Sequence, residues 1–126
     1  WTRPDVSVTV GTVPGLRYDL PTFQVEAGAR VELVFSNTDD MLHNLVVVVP
    51  GAADRVAQEA LGLGLEGMEK HFVPETADVL FHTALLQPGA SERLYFTAPT
   101  EPGEYTYVCT FPGHAFTMRG TMVVTG

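Results

Sequence analysis

The segment Glu104-Tyr105-Thr106-Tyr107-Val108-Cys109-Thr110-Phe111-Pro112-Gly113-His114-Ala115-Phe116-Thr117-Met118 joins a strand pattern to a loop rich in donor atoms. Its first half sets Tyr105, Tyr107 and Cys109 on one side, the period-two spacing of a half-buried β-strand. Its second half turns at Pro112-Gly113 and carries a thiol, an imidazole and a thioether at Cys-x4-His-x3-Met spacing.

Similar alternation recurs on both sides of this segment. Val6, Val8 and Val10 share a face in 5–10, Val31, Leu33 and Phe35 in 30–36, and Leu94 and Phe96 in 91–97, and 120–125 closes the chain with a last strand. His43 to Val49 is continuously apolar after its first two residues, as expected of a strand buried on both faces. Pro-Gly pairs at 14–15, 50–51, 88–89, 102–103 and 112–113 punctuate these runs. The pattern predicts an all-β chain, a Greek-key, antiparallel β-sandwich. One segment departs from it. Residues 52–61 are rich in Ala, Glu, Gln and Arg, with Val56/Ala60 and Ala57/Leu61 at i,i+4 spacing, which predicts a short helix. Continued through the glycines of 62–67, it makes a helical flap over residues 52–72 between two strands.

Composition narrows the function. The 126 residues fit a single domain spanning 1–126, large enough for a core of its own. Seven Lys and Arg against fifteen Asp and Glu give a net charge of −8, which repels nucleic acid and favours a basic protein as partner. No apolar run approaches the roughly 20 residues of a membrane helix, so no transmembrane segment is expected in this chain. The start at Trp1 leaves open an export signal, a tether or a parent enzyme outside the sequence. A single cysteine excludes an internal disulfide and leaves a thiol that is inert, reactive or metal-bound.

A soft thiolate, imidazoles and a weak axial thioether form a donor set that suits copper in both its oxidation states. Cys109, His114 and Met118 supply three such ligands from one loop. His43, heading the buried strand after the turn at 37–40, is the natural fourth, and a Greek key can bring the two loops together. The competing reading makes Cys109 and Met118 core residues and His114 an ordinary loop histidine.

The intervening residues weigh against that alternative. Cys-Thr-Phe-Pro-Gly-His followed by a near Met resembles the ligand loop of the cupredoxins, the type 1 blue copper family, in its azurin and auracyanin branches. His43-Asn44 before an apolar strand resembles the family's first-ligand motif, and Met118-Arg119-Gly120-Thr121 its closing strand. The resemblance covers about 37–124. It implies an eight-stranded Greek-key sandwich, one type 1 copper held by His43, Cys109, His114 and Met118, and electron entry and exit through the edge of His114. It further implies that Asn44 and Thr110 tie the ligand loops together, and that the backbone N–H groups of Asn44 and Phe111 point at the Cys109 sulfur. Phe111 keeps an N–H there that a proline would lack. Phe111, Pro112, Ala115 and Phe116 around His114 read either as core residues or, if partly exposed, as an apolar collar through which a redox partner docks, such as a cytochrome or a membrane electron-transfer complex. The family's habit places such a chain in a periplasm or at a membrane surface. Where azurin has a glycine before its first histidine this chain has Leu42, so four-coordinate copper is expected without a carbonyl contact.

Other patterns carry less. His71 and His82 do not make a second metal site with the spacing a catalytic copper needs, and no His-x-His pair is present for a copper oxidase. Gly62 to Gly67 matches a dinucleotide fingerprint but follows a helix and lies in no βαβ unit. Asp39-Asp40 reads as a pair of turn residues rather than an acid–base pair. The expected function is one-electron transfer by copper cycling between Cu(II) and Cu(I), not an enzyme's turnover. A relay module of a larger redox enzyme and a copper carrier or store are the alternatives.

Overall fold

The structure, a computed structural model, describes residues 3–126. In chain order it contains β1 (Val6–Val10), β2 (Thr12–Val13), β3 (Arg17–Tyr18), β4 (Thr22–Glu26), β5 (Arg30–Ser36), β6 (Val46–Val48), helix α1 (Ala53–Leu61), β7 (Val79–His82), β8 (Ser91–Thr97), β9 (Gly103–Val108) and β10 (Arg119–Thr125). A three-stranded sheet ordered β1-β5-β8 faces a five-stranded sheet ordered β4-β10-β9-β6-β7, so the sandwich has eight strands. The two-residue strands β2 and β3 pair only with each other.

The expectation of an antiparallel sandwich needs correction, because β1 pairs with β5 and β4 with β10 in parallel. A parallel pair needs a long crossover between its strands. Here the chain between β1 and β5 visits the ribbon and then the opposite sheet as β4 before returning. The remaining ladders are antiparallel.

The alternating residues meet between the sheets. Val31, Leu33 and Phe35 from one sheet and Val47, Tyr107 and Met122 from the other are fully buried in one cluster. The uninterrupted apolar run has a specific cause. Leu45 and Val47 enter this core, whereas Val46 and Val48 turn outward beneath α1 and pack with Ala52, Ala53, Val56 and Val108. The ladder of β6 is nevertheless shorter than the run, since Leu45 N–H bonds to the Thr83 hydroxyl and His43 makes only an isolated bridge to Leu86.

Helix α1 has nine residues and no side-chain N-cap, so it depends on what it covers. Ala53, Val56 and Ala60 are buried, but Leu61 is 61% exposed, so of the two i,i+4 pairs only Val56/Ala60 faces inward. Ion pairs from Asp54 to Arg119 and from Arg55 to Asp78 tether its outer face.

Gly120 on β10 lies against the buried ring of Tyr107, where a Cβ would stand 2.2 Å from the ring carbon. The Tyr107 hydroxyl donates to the Leu20 carbonyl, so the ring cannot move without breaking that bond. Gly120→Ala is therefore expected to lower stability by about 1–3 kcal/mol, toward the upper end, read as a fall in denaturant midpoint.

Candidate metal centre

Two loops at one end of the sandwich supply the donors. The first carries His43, whose backbone N–H and C=O both pair with Leu86. The second runs from Cys109 to Met118 and is closed at its base by a bond from Cys109 N–H to the Met118 carbonyl of 3.0 Å. Inside that loop His114 N–H bonds to the Phe111 carbonyl, and Met118 N–H to the His114 carbonyl. Gly113 takes a φ of +88°, a conformation that favours glycine, and this lets the loop reverse over so few residues.

The turn directs three donor atoms at one point. Cys109 Sγ lies 3.7 Å from His43 Nδ1 and 3.7 Å from His114 Nδ1, and the three atoms lie within 4.8 Å of one another. Metal bonds of about 2.0–2.3 Å meeting near 120° would separate nitrogen from sulfur by about 3.7 Å, so the spacing fits a trigonal metal. All three residues are buried, as is Met118, which lies in the same core cluster as Cys109. A sulfur- and imidazole-lined site of this kind suits copper. His71 and His82 lie outside this group. The His71 ring accepts the Leu85 N–H, and His82 Nδ1 pairs with the Thr83 carbonyl.

A hydrogen-bond network joins the loops. The Asn44 amide donates to the Thr110 hydroxyl and accepts from the Thr110 N–H, both at 2.9 Å. Asn44 also donates to the His71 carbonyl, and the Thr110 hydroxyl donates to the Phe72 carbonyl, so the end of the flap is fastened to the same node. His71 and Phe72 hold φ near +55°, uncommon for side chains of their size, where these bonds are made. The buried Tyr18 hydroxyl donates to the Asn44 carbonyl at 2.7 Å. Phe111 stands edge-on to Phe72 and packs on the His114 ring.

Electrostatics follow from the burial. Burial pushes the Cys109 thiol up to about 11, partly offset by hydrogen bonds from the backbone N–H groups of Asn44 and Phe111. Burial, then the neighbouring His43, lowers His114, which keeps its ring free to bind metal at neutral pH. Metal must therefore displace the thiol proton. Uptake of Cu(II) near pH 7 is expected to release one proton per chain, with apparent affinity rising roughly tenfold per pH unit until the thiol ionises. Calorimetry in buffers of different ionisation enthalpy measures this. The copper-free fold keeps the thiol's contribution below a free thiol's 9.0 and loses it as pH rises through about 11.

Above the site, His114 is only 3% exposed, while Phe116 is 92% exposed beside it. A groove of about 450 Å³ separates the ligand loop from α1, lined by Phe111, Pro112, Ala115 and Phe116 on one side and Ala57 and Leu61 on the other. Arg119 also lines it, donating to the Ala115 carbonyl and to Asp54.

Sequence reasoning missed Asp39. It is a turn residue as expected, but its Oδ2 also lies 2.7 Å from His43 Nε2. That bond, then the Asp40 N–H, holds its carboxyl below the usual range. The signal available was an acid four residues before a ligand histidine, a spacing that has meaning only once the turn is formed. Tyr18 gave no comparable signal.

Residues 4–125 match the family model of copper binding proteins of the plastocyanin/azurin family. Auracyanin-B of Chloroflexus aurantiacus is 35% identical over 97% of the chain, which spans about half of that relative, 53% of its length. Among solved structures, the dithionite-reduced auracyanin of Roseiflexus castenholzii superposes with a TM-score of 0.86 at 32% identity, covering 95% of this chain and 97% of that one. Auracyanin A of Chloroflexus aurantiacus, described as a blue copper protein, gives 0.85 at 29% identity over 95% and 98%.

Proposed function

The chain belongs to the plastocyanin/azurin family of copper-binding proteins, and from that premise we propose that it is a one-electron carrier whose single type 1 copper is held by His43, Cys109, His114 and Met118. The observation that carries this reading is the convergence of one sulfur and two imidazole nitrogens, all buried, on one point. When bound, copper supplies reversible one-electron chemistry between Cu(II) and Cu(I).

The protein's own task is to hold the donors in one arrangement acceptable to both states. The bond from Cys109 to Met118, the Asn44–Thr110 pair and the Leu86 bridge restrain all four side chains from the backbone outward. The N–H groups of Asn44 and Phe111 draw charge from the thiolate and raise the reduction potential. Such restraint opposes ready release, which weighs against copper carriage or storage. His114 is the route to a partner in this reading, because of the four ligand residues it alone keeps any exposure, 3%.

Pro112, Ala115 and Phe116 form an apolar collar around that route, on a chain of net charge −8. This favours a basic redox protein, such as a cytochrome or a membrane electron-transfer complex, that excludes water at the contact. The chain works outside the cytoplasm in this reading, in a periplasm or at a membrane surface. Among the described residues no helix is long and apolar enough to cross a membrane.

Rapid mixing of the Cu(I)-loaded chain with oxidised cytochrome c tests the role. Electron transfer is expected, slowing as salt is raised, and Phe116→Ser should slow it further with no change of potential. A loaded chain that exchanges no electrons with oxidised or reduced cytochrome c would contradict it.

A further inference from the structure

We infer that Asp39 is a positioning residue for the metal centre: its carboxylate fixes the tautomer and orientation of His43 and biases the site toward Cu(II). The inference rests on the copper reading of the preceding section. The His43 ring is fully buried, its Nδ1 faces Cys109 Sγ, and its Nε2 lies 2.7 Å from Asp39 Oδ2. A carboxylate only accepts, so Nε2 carries the hydrogen and the lone pair of Nδ1 is left for the metal. A carboxylate placed this way raises the basicity of a ligating imidazole.

Asp39 is itself held. Its Oδ1 accepts the Asp40 N–H at 2.9 Å, and its own N–H donates to Asn37 Oδ1 at 3.1 Å. Asn37 is fully buried and donates to the Met41 and Leu86 carbonyls. Leu86 is the residue whose backbone pairs with His43. The carboxylate and the ring it orients are thus anchored to one scaffold, and the Asp39 side chain is 19% exposed, which limits screening of its charge. A fixed negative charge beside a ligand ring stabilises the more positive metal state.

Asp39→Asn separates orientation from charge, because an amide oxygen can still accept the Nε2 hydrogen. The copper-loaded variant is expected to keep its visible band while its Cu(II) affinity falls about 10–100-fold, an outer-sphere effect that Cu(I) feels less. The preference shifts toward Cu(I) by the ratio of the two losses, about tenfold where the Cu(I) loss is a tenth of the Cu(II) loss, which is ~59 mV upward for one electron. Asp40→Asn, an exposed neighbour of equal charge, should leave the potential near that of the parent. In the copper-free parent, nitrogen NMR of His43 should show the hydrogen on Nε2. A parent without the visible band defeats the copper reading itself. A coloured parent whose Asp39→Asn potential is unchanged, or moves no more than that of Asp40→Asn, overturns the inference, as does a hydrogen on Nδ1.

Discussion

Cys109→Ser is expected to give a folded, colourless protein that no longer cycles one electron at this site. The thiolate is the only sulfur anion the chain can offer, and the intense visible band of such a centre comes from charge transfer between that sulfur and Cu(II). Serine is close in size, and the N–H groups of Asn44 and Phe111 that reach the sulfur can donate to a hydroxyl, so the fold should survive with a loss of about 1 kcal/mol. Circular dichroism of the copper-free variant checks the fold. Visible absorption with added Cu(II) checks the centre. A blue Cys109→Ser protein would place the colour elsewhere.

Met118→Leu should have the opposite character, with colour kept and potential raised. The swap nearly conserves volume in a fully buried position, so stability should fall by less than about 1.5 kcal/mol. What is lost is weak electron donation to the metal, which the more positive Cu(II) misses more than Cu(I), and it is through this ligand that the potential of such a centre is tuned. A tenfold shift of preference toward Cu(I) raises the potential by ~59 mV, and voltammetry of the loaded variant reads it directly. Complete loss of copper binding would mean that Met118 contributes more than an axial contact.

Much of the frame was legible because the buried strands announce themselves by period. Residues 30–36 and 91–97 form strands with those bounds, and the apolar run after His43 is buried on both faces as its composition implied. The parallel pairs were not legible. Direction depends on where β4 goes between β1 and β5, and no residue in β1 or β5 records that passage. The exposure of Leu61 was hidden for a related reason, since i,i+4 spacing marks two stripes on a nine-residue helix and only the packing partner selects one.

The site divides the same way. Cys109, His114 and Met118 lie within one loop, so spacing alone brought them together, whereas the approach of His43 needed the fold. Asp39 and Tyr18 reach the centre through side chains from separate turns. Their part depends on distances of a few ångströms that no linear pattern encodes.

The most direct measurement is a titration of the purified chain with Cu(II), followed by visible absorption and then by reduction with ascorbate. An intense red-region band that saturates at one copper per chain and bleaches on reduction is the expected result. A folded chain that shows no such band, or binds copper without bleaching, would contradict the assignment of His43, Cys109, His114 and Met118 as a redox-active copper centre.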